Sequence, residues 1–221
     1  KQAGSQSHYP DGRLVCVENT ANRGGGTCYE QTILDEIASV ADEHNCGTHI
    51  DGARIFNASI ATGVALPRMT EHYDSVSICL SKGLGAPVGS VLVGSQDFID
   101  QAHRWRKMFG GGMRQSGILA AAGIYAVEHH VDRMAEDHRR AMNLAISIDE
   151  MSHVHVDLEA VQTNMVYFSA DGYTASQVAE HMGKHGIDMF DISPTHCRLV
   201  THLHITDEDV ENVVTALETL R

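Results

Sequence analysis

Short β-branched runs alternate along this chain with longer stretches in which apolar residues recur at helical spacing. Leu14 to Val17 reads as a strand, and Glu30 to Glu43 sets Ile33, Leu34, Ile37, Ala38 and Ala41 along one helical face. Gly47 to Ile50 reads as the next strand, which completes a β-α-β unit. Ser75 to Leu80 and Gly89 to Val93 are further short apolar runs, so this half predicts a mainly parallel or mixed sheet with helices on its faces. Ser95 to Met108 predicts a helix that stops at the break Gly110-Gly111-Gly112. One long helical region is then expected from about Ser116 to about Met151. Beyond it the pattern becomes strands at His153 to Val156, Asn164 to Ala170 and Arg198 to His202, with helices at Thr174 to His185 and Asp207 to Leu220. The fold class expected is therefore α/β: a large domain over residues 1–140 and a small α+β C-terminal domain over 141–221.

Composition narrows the function classes. With 221 residues and 43% hydrophobic content, the chain can bury a core in either domain. Its longest apolar run, Leu119 to Val127, falls short of the ~20 residues of a membrane helix, so no membrane partner is expected. Lys1 to Pro10 is polar and lacks the apolar centre of a secretory signal, which makes a cytoplasmic or organellar interior the default expectation. The five cysteines show no CxxC spacing and read as reduced thiols. Sixteen basic against 29 acidic residues give a net charge of −13, which repels a phosphate backbone and sets nucleic acid aside as a partner. A small anion can still bind at a local arginine or helix N-terminus. Among 15 histidines, His153/His155 and His202/His204 are the suggestive pairs; neither comes with a third ligand, and no metal is expected.

Chemistry concentrates at two strand ends. Lys82 follows the run Val76 to Leu80 and enters a turn with Gly83 and Gly85, where backbone and ligand can approach closely around the amine. Burial there would favour the neutral amine, which can form a Schiff base with a carbonyl compound. The competing reading is a lysine at a strand end facing water. Asp51 ends the run His49-Ile50-Asp51, and Arg54 follows on the exiting turn. Ligands of such sheets bind beyond the carboxyl ends of the strands, where Asp51 and Lys82 both fall. A lysine for a Schiff base, a carboxylate for a pyridine nitrogen and an arginine for a substrate carboxylate are what a pyridoxal phosphate enzyme needs. A local Asp51–Arg54 salt bridge in a turn is the alternative.

Four blocks carry a resemblance beyond this chemistry: Glu18-Asn19-Thr20, His49 to Ala58, Cys79 to Ser90, and Arg104 to Gly117. In order and spacing the chain resembles the low-specificity L-threonine aldolases, through Arg198 to His202 and so over nearly its whole length. The resemblance implies a fold type I, aminotransferase-like large domain and a homo-oligomer. The implied activity is pyridoxal phosphate-dependent cleavage of a β-hydroxy-α-amino acid, L-threonine or L-allo-threonine, to glycine and acetaldehyde. Lys82 would bond the cofactor, Asp51 would face its ring nitrogen, and Arg54 and Arg198 would hold the substrate carboxylate. Lys107 and Arg114 would approach substrate or cofactor phosphate, or a neighbouring subunit's site; a basic helix end at the surface is the alternative for both. The family has a glycine-containing phosphate loop and a ring-stacking histidine upstream of Glu-Asn-Thr, so the resemblance implies an N-terminally shortened enzyme. A non-catalytic relative, or a fold type I lyase with another β-substituted substrate, remains the alternative. Ala21 stands where many members have histidine. Gly24-Gly25-Gly26 lacks the strand-to-helix setting of a phosphate loop.

Overall fold

A computed structural model describes residues 11–220; the polar start at residues 1–10 lies outside them. These residues form two units, one of residues 11–20 with Tyr29–Val131 and one of Ala21–Cys28 with residues 132–220. The division falls between Val131 and Asp132, and a short segment near the start joins the second unit.

The first unit runs β1 (Leu14–Glu18), α1 (Gln31–Glu43), β2 (Gly47–Asp51), α2 (Ile55–Thr62), the single turn α3 (Leu66–Met69), β3 (Ser75–Cys79), β4 (Ser90–Gly94), α4 (Gln96–Met108) and α5 (Gly117–His129). Its sheet has the order β1-β2-β3-β4, with β1, β2 and β3 parallel and β4 antiparallel to β3. The mixed sheet with flanking helices is the one the apolar runs predict. Helix α1 buries Leu34, Ala38 and Ala41, spaced so that they share one face, and Ile50, Ile55, Met69 and Val76 are buried in the same unit. The Asp74 carboxylate accepts from the Thr48 backbone N–H (2.8 Å) and hydroxyl (3.2 Å), fastening the entry of β3 to β2.

The single long helix expected over 116–151 is two helices, α5 and then α6 (Met134–Asp149). No glycine or proline marks the break; contacts remote in sequence or buried set it. His130 Nδ1 donates to the Leu84 carbonyl at 2.6 Å. Arg133 forks onto the fully buried Asp137 carboxylate at 2.6 and 3.0 Å, fixing the start of α6.

The second unit continues with β5 (Val154–Val156), a 3-10 turn at Leu158–Ala160, β6 (Met165–Ala170), α7 (Ala175–Lys184), β7 (Phe190–Asp191), β8 (Cys197–Val200) and α8 (Asp207–Glu218). The antiparallel sheet has the order β5-β6-β8-β7; β7, two residues long, is too short for any periodicity to reveal. Buried Ala141, Leu144 and Ile148 of α6 pack with Phe168, Val178, Met182, Leu199 and Leu217 into one core. Capping boxes at Thr174/Gln177 and Thr206/Asp209 start α7 and α8. Among the described residues no helix is long and apolar enough to cross a membrane.

Candidate active site

Asp51 is the last residue of β2, opposite Glu18 on β1 and Ser77 on β3, and Lys82 lies three residues beyond the end of β3. Both therefore stand at the carboxyl ends of adjacent parallel strands. The Asp51 backbone carbonyl accepts from Asn19 N–H at 3.0 Å, and Gly52 N–H donates to the Ser77 carbonyl at 2.8 Å. A side chain at position 52 would meet that carbonyl and Val76 Cγ1 at 3.0 Å, tighter than an ordinary contact, so glycine suits the close passage of the chain along β3. Asp51 itself is exposed. Its Oδ1 accepts from Ala53 N–H at 3.1 Å, which orients the carboxylate.

Lys82 opens a tight turn. Its carbonyl accepts from Gly85 N–H at 2.8 Å, Gly85 takes a left-handed φ of 71°, and the flanks close through Ala86 N–H to Leu80 O and Leu80 N–H to Gly89 O, each at 2.9 Å. Leu84, buried, plugs the turn into the unit while its carbonyl accepts from His130. The backbone under the amine is thus fixed from below. Lys82 is itself exposed, which corrects the burial assumed from the sequence: the apolar residue of this turn that turns inward is Leu84.

Arg54 is half-buried at the N-terminal boundary of α2. Lys107 lies in the last turn of α4 with its stem against Gly112, where an added Cβ would come within 2.6 Å of Lys107 Cδ. Arg114 follows in an exposed turn. Among the described residues neither Lys107 nor Arg114 hydrogen-bonds to Asp51 or Lys82. The asparagine of Glu18-Asn19-Thr20 is an internal brace: buried Asn19 accepts from Tyr29 N–H at 3.4 Å and donates to the Met69 sulfur at 3.4 Å.

Arg198 belongs to the second unit, on β8 opposite Tyr167 and Phe190. Its guanidinium donates from Nη1 to Asn22 Oδ1 and lies 5.0 Å above the Phe190 ring. Sequence reasoning missed Asn22 as the partner of Arg198; the two are 176 positions apart, beyond any local signal. The segment with Gly24-Gly25-Gly26 follows it. Gly25 and Gly26 have φ of 81° and 80°, and the Gly26 carbonyl accepts from the Thr163 hydroxyl at 2.7 Å. These glycines serve a backbone turn fastened to β6's approach.

The histidine pairs have other partners. His153 Nε2 donates to the Leu217 carbonyl (3.3 Å), His155 meets Asp171 (3.0 Å), and the rings of His202 and His204 pack edge to face. Among the described residues no group of three or more His, Cys, Asp or Glu could hold a metal ion.

Comparison with known proteins bears on this arrangement. The family model of the beta-eliminating lyases matches residues 1–171. Low-specificity L-threonine aldolase 1 of Arabidopsis thaliana is 41% identical over 213 residues, covering 95% of this chain and 60% of the relative. The low specificity L-threonine aldolase of Escherichia coli K12 is 44% identical over 206 residues, 93% of this chain and 60% of the relative. The chain thus spans about 60% of the length of these curated relatives. The threonine aldolase structure from Leishmania major superposes with a TM-score of 0.82 over 97% of this chain and 63% of that one; at 20% identity it speaks to the fold alone. With a family model matched over more than half its length, this chain belongs to the beta-eliminating lyase family.

Proposed function

We propose that this protein is a pyridoxal phosphate-dependent aldolase that cleaves β-hydroxy-α-amino acids of the L-threonine and L-allo-threonine type to glycine and acetaldehyde. The observation that carries the reading is Lys82 and Asp51 at the carboxyl ends of adjacent parallel strands, in a chain 41% and 44% identical to proteins named for that activity. The donor set suits the cofactor: an amine on a fixed turn for its aldehyde, and an exposed carboxylate with one oxygen anchored for its ring nitrogen.

When bound, pyridoxal phosphate supplies an electron sink for the pair left as the Cα–Cβ bond breaks. Lys82 holds the cofactor through its amine. Asp51, oriented by Ala53 N–H, keeps a proton on the ring nitrogen. Arg54, at the start of α2, is assigned to cofactor and substrate, and Arg198, on β8, to the substrate carboxylate, for which a planar fork of N–H donors is suited. Arg114 is assigned to the cofactor and Lys107 to the substrate. The protein is further proposed to reside in the cytoplasm, supported by its free cysteines, and to assemble with further copies of itself, supported by exposed apolar side chains along β4, α4 and α5.

Borohydride reduction of the cofactor-loaded protein, followed by peptide mapping, should find the pyridoxyl group on Lys82. The same preparation should release acetaldehyde from L-allo-threonine. Label on another residue would overturn the Lys82 assignment. Labelled Lys82 without acetaldehyde, but with pyruvate from serine or cysteine, would move the protein to β-elimination. Neither label nor product would leave a non-catalytic relative.

A further inference from the structure

We infer that Asn22 is a positioning residue for Arg198: a neutral acceptor that aims the guanidinium at an incoming carboxylate without cancelling its charge. The inference rests on the reading of Arg198 as a carboxylate-binding group.

The contacts are all within the second unit. Arg198 projects from β8 and is gripped from two directions, by the Asn22 side-chain oxygen on Nη1 and by the Phe190 ring under its plane. Its Nε is buried with no hydrogen-bond partner among the described residues. A guanidinium carries five N–H donors in one plane, so a bond to one Nη and a ring beneath fix both its rotation and its tilt while leaving other donors for a ligand. Asn22 is in turn held by its backbone. The Tyr167 hydroxyl donates to the Asn22 carbonyl. Gly26 N–H donates to the Ala21 carbonyl at 3.0 Å, the Thr163 hydroxyl to the Gly26 carbonyl at 2.7 Å, and Cys28 N–H to Gln162 Oε1 at 2.8 Å. The segment 21–28 is therefore a strap fastened at three points to the β6 side of the unit that carries Arg198, and it brings Asn22 to the guanidinium.

Amide chemistry is the informative part. An aspartate in place of Asn22 would accept the same hydrogen bond more strongly, but as an ion pair it would occupy the guanidinium and repel a second carboxylate. A residue present only to stabilise the fold would tolerate or gain from that charge. A residue present to orient Arg198 for an anionic ligand would not.

The test compares wild type, Asn22→Ala, Asn22→Asp and Arg198→Ala, each loaded with pyridoxal phosphate and checked for an unchanged Lys82 absorption band and melting profile. Glycine and L-serine binding are measured by calorimetry, and KM and kcat with L-allo-threonine. Asn22→Ala should weaken amino-acid binding and raise KM about tenfold, the worth of one hydrogen bond to a charged group, with kcat changed far less. Asn22→Asp should weaken binding further than Asn22→Ala although it keeps the hydrogen bond. Wild-type-like binding in Asn22→Asp, alongside loss in Arg198→Ala, would overturn the inference and leave the reading of Arg198 standing. Should either Asn22 variant fold poorly, Tyr167→Phe, which loosens only the strap's anchor, should show a smaller KM rise in the same direction; an unchanged KM there would count against the inference. Amino-acid binding that survives in Arg198→Ala would overturn the reading of Arg198 and this inference with it. Binding that follows the predicted order without acetaldehyde release would sustain the inference and sink the proposed reaction.

Discussion

The two units bury their apolar side chains to different degrees. In the second, α6, α7 and α8 close over one face of a four-stranded antiparallel sheet, and Phe168, Met182, Cys197, Leu217 and Ile148 are almost wholly withdrawn from water. In the first, every residue of β4 is exposed, α4 buries none of its side chains, and α5, apolar around much of its circumference, leaves Ile118 at 85% exposure and Phe109 just beyond α4 at 80%. A helix apolar on all sides is stable only when covered on all sides. The unit that carries Lys82 and Asp51 thus leaves more of its apolar side chains exposed, and the unit that carries Arg198 gathers most of its own into one core. Lys82 belongs to this less buried unit: the turn beneath it is fixed by hydrogen bonds, while the residue itself is exposed.

Core substitutions should separate the units most sharply. Phe168→Ala should cost about 4 kcal/mol and melt the second unit, because the ring is fully buried and leaves a cavity its neighbours cannot fill. Val93→Ala on β4, where the side chain is 47% exposed, should leave the melting curve of the isolated chain almost unmoved. Calorimetry of both variants checks the contrast, and a large loss from Val93→Ala would mean that β4 is covered in solution. Next in size is Asp137→Asn. The carboxylate is fully buried against Arg133, so removing its charge leaves an uncompensated guanidinium at the start of α6 and should cost about 3 kcal/mol by urea unfolding.

Smaller again is Gly26→Ala. The residue has a left-handed φ of 80°, and an added Cβ would stand 2.8 Å from Thr163 Oγ1, the group that fastens the strap. A loss of about 2 kcal/mol is expected, together with weaker amino-acid binding if the strap positions Asn22. Stability lost with binding intact would separate the strap's structural role from the functional one.

Periodicity made most of the fold legible. The β1-α1-β2 unit, β3, β4, α4, β6, α7 and α8 all fall where runs of alternating or helical spacing place them; α1, β6 and α7 each bury one face, and the pattern matches that face. What escaped was tertiary in origin. The break between α5 and α6 depends on His130 reaching Leu84 and on Arg133 meeting Asp137, and neither leaves a glycine or proline behind. The strap 21–28 follows β1 directly, yet its hydrogen bonds run to residues 162, 163, 167 and 198. The strand-end positions of Asp51 and Lys82 were readable because a short apolar run ends visibly, whereas which residue of the Lys82 turn points inward was not, since Leu84 and Lys82 share the same glycine-rich setting.

The smallest effect lies in the unit that looks most settled. His138 sits on α6 next to Asp137, and desolvation by burial holds its imidazole below the usual value of 6.5, against the opposing pull of the Asp137 charge. A base whose folded-state value is depressed binds fewer protons folded than unfolded, so stability rises with pH through the window between the two values and falls as pH drops below about 6.5. Replacing His138 with glutamine removes the titration while keeping a polar side chain of similar reach. Urea midpoints of wild type should therefore decline from pH 7.5 to pH 5.5, and those of His138→Gln should decline less. Asp35 of the first unit, held down to about 2 by its bond to Arg68, lies outside this range, because that group loses its proton-linked stabilisation only as pH falls below 3.8 toward 2. A pH-dependent loss that persists unchanged in His138→Gln would shift the acid-sensitive element away from α6 and weaken the view of the second unit as the self-sufficient half.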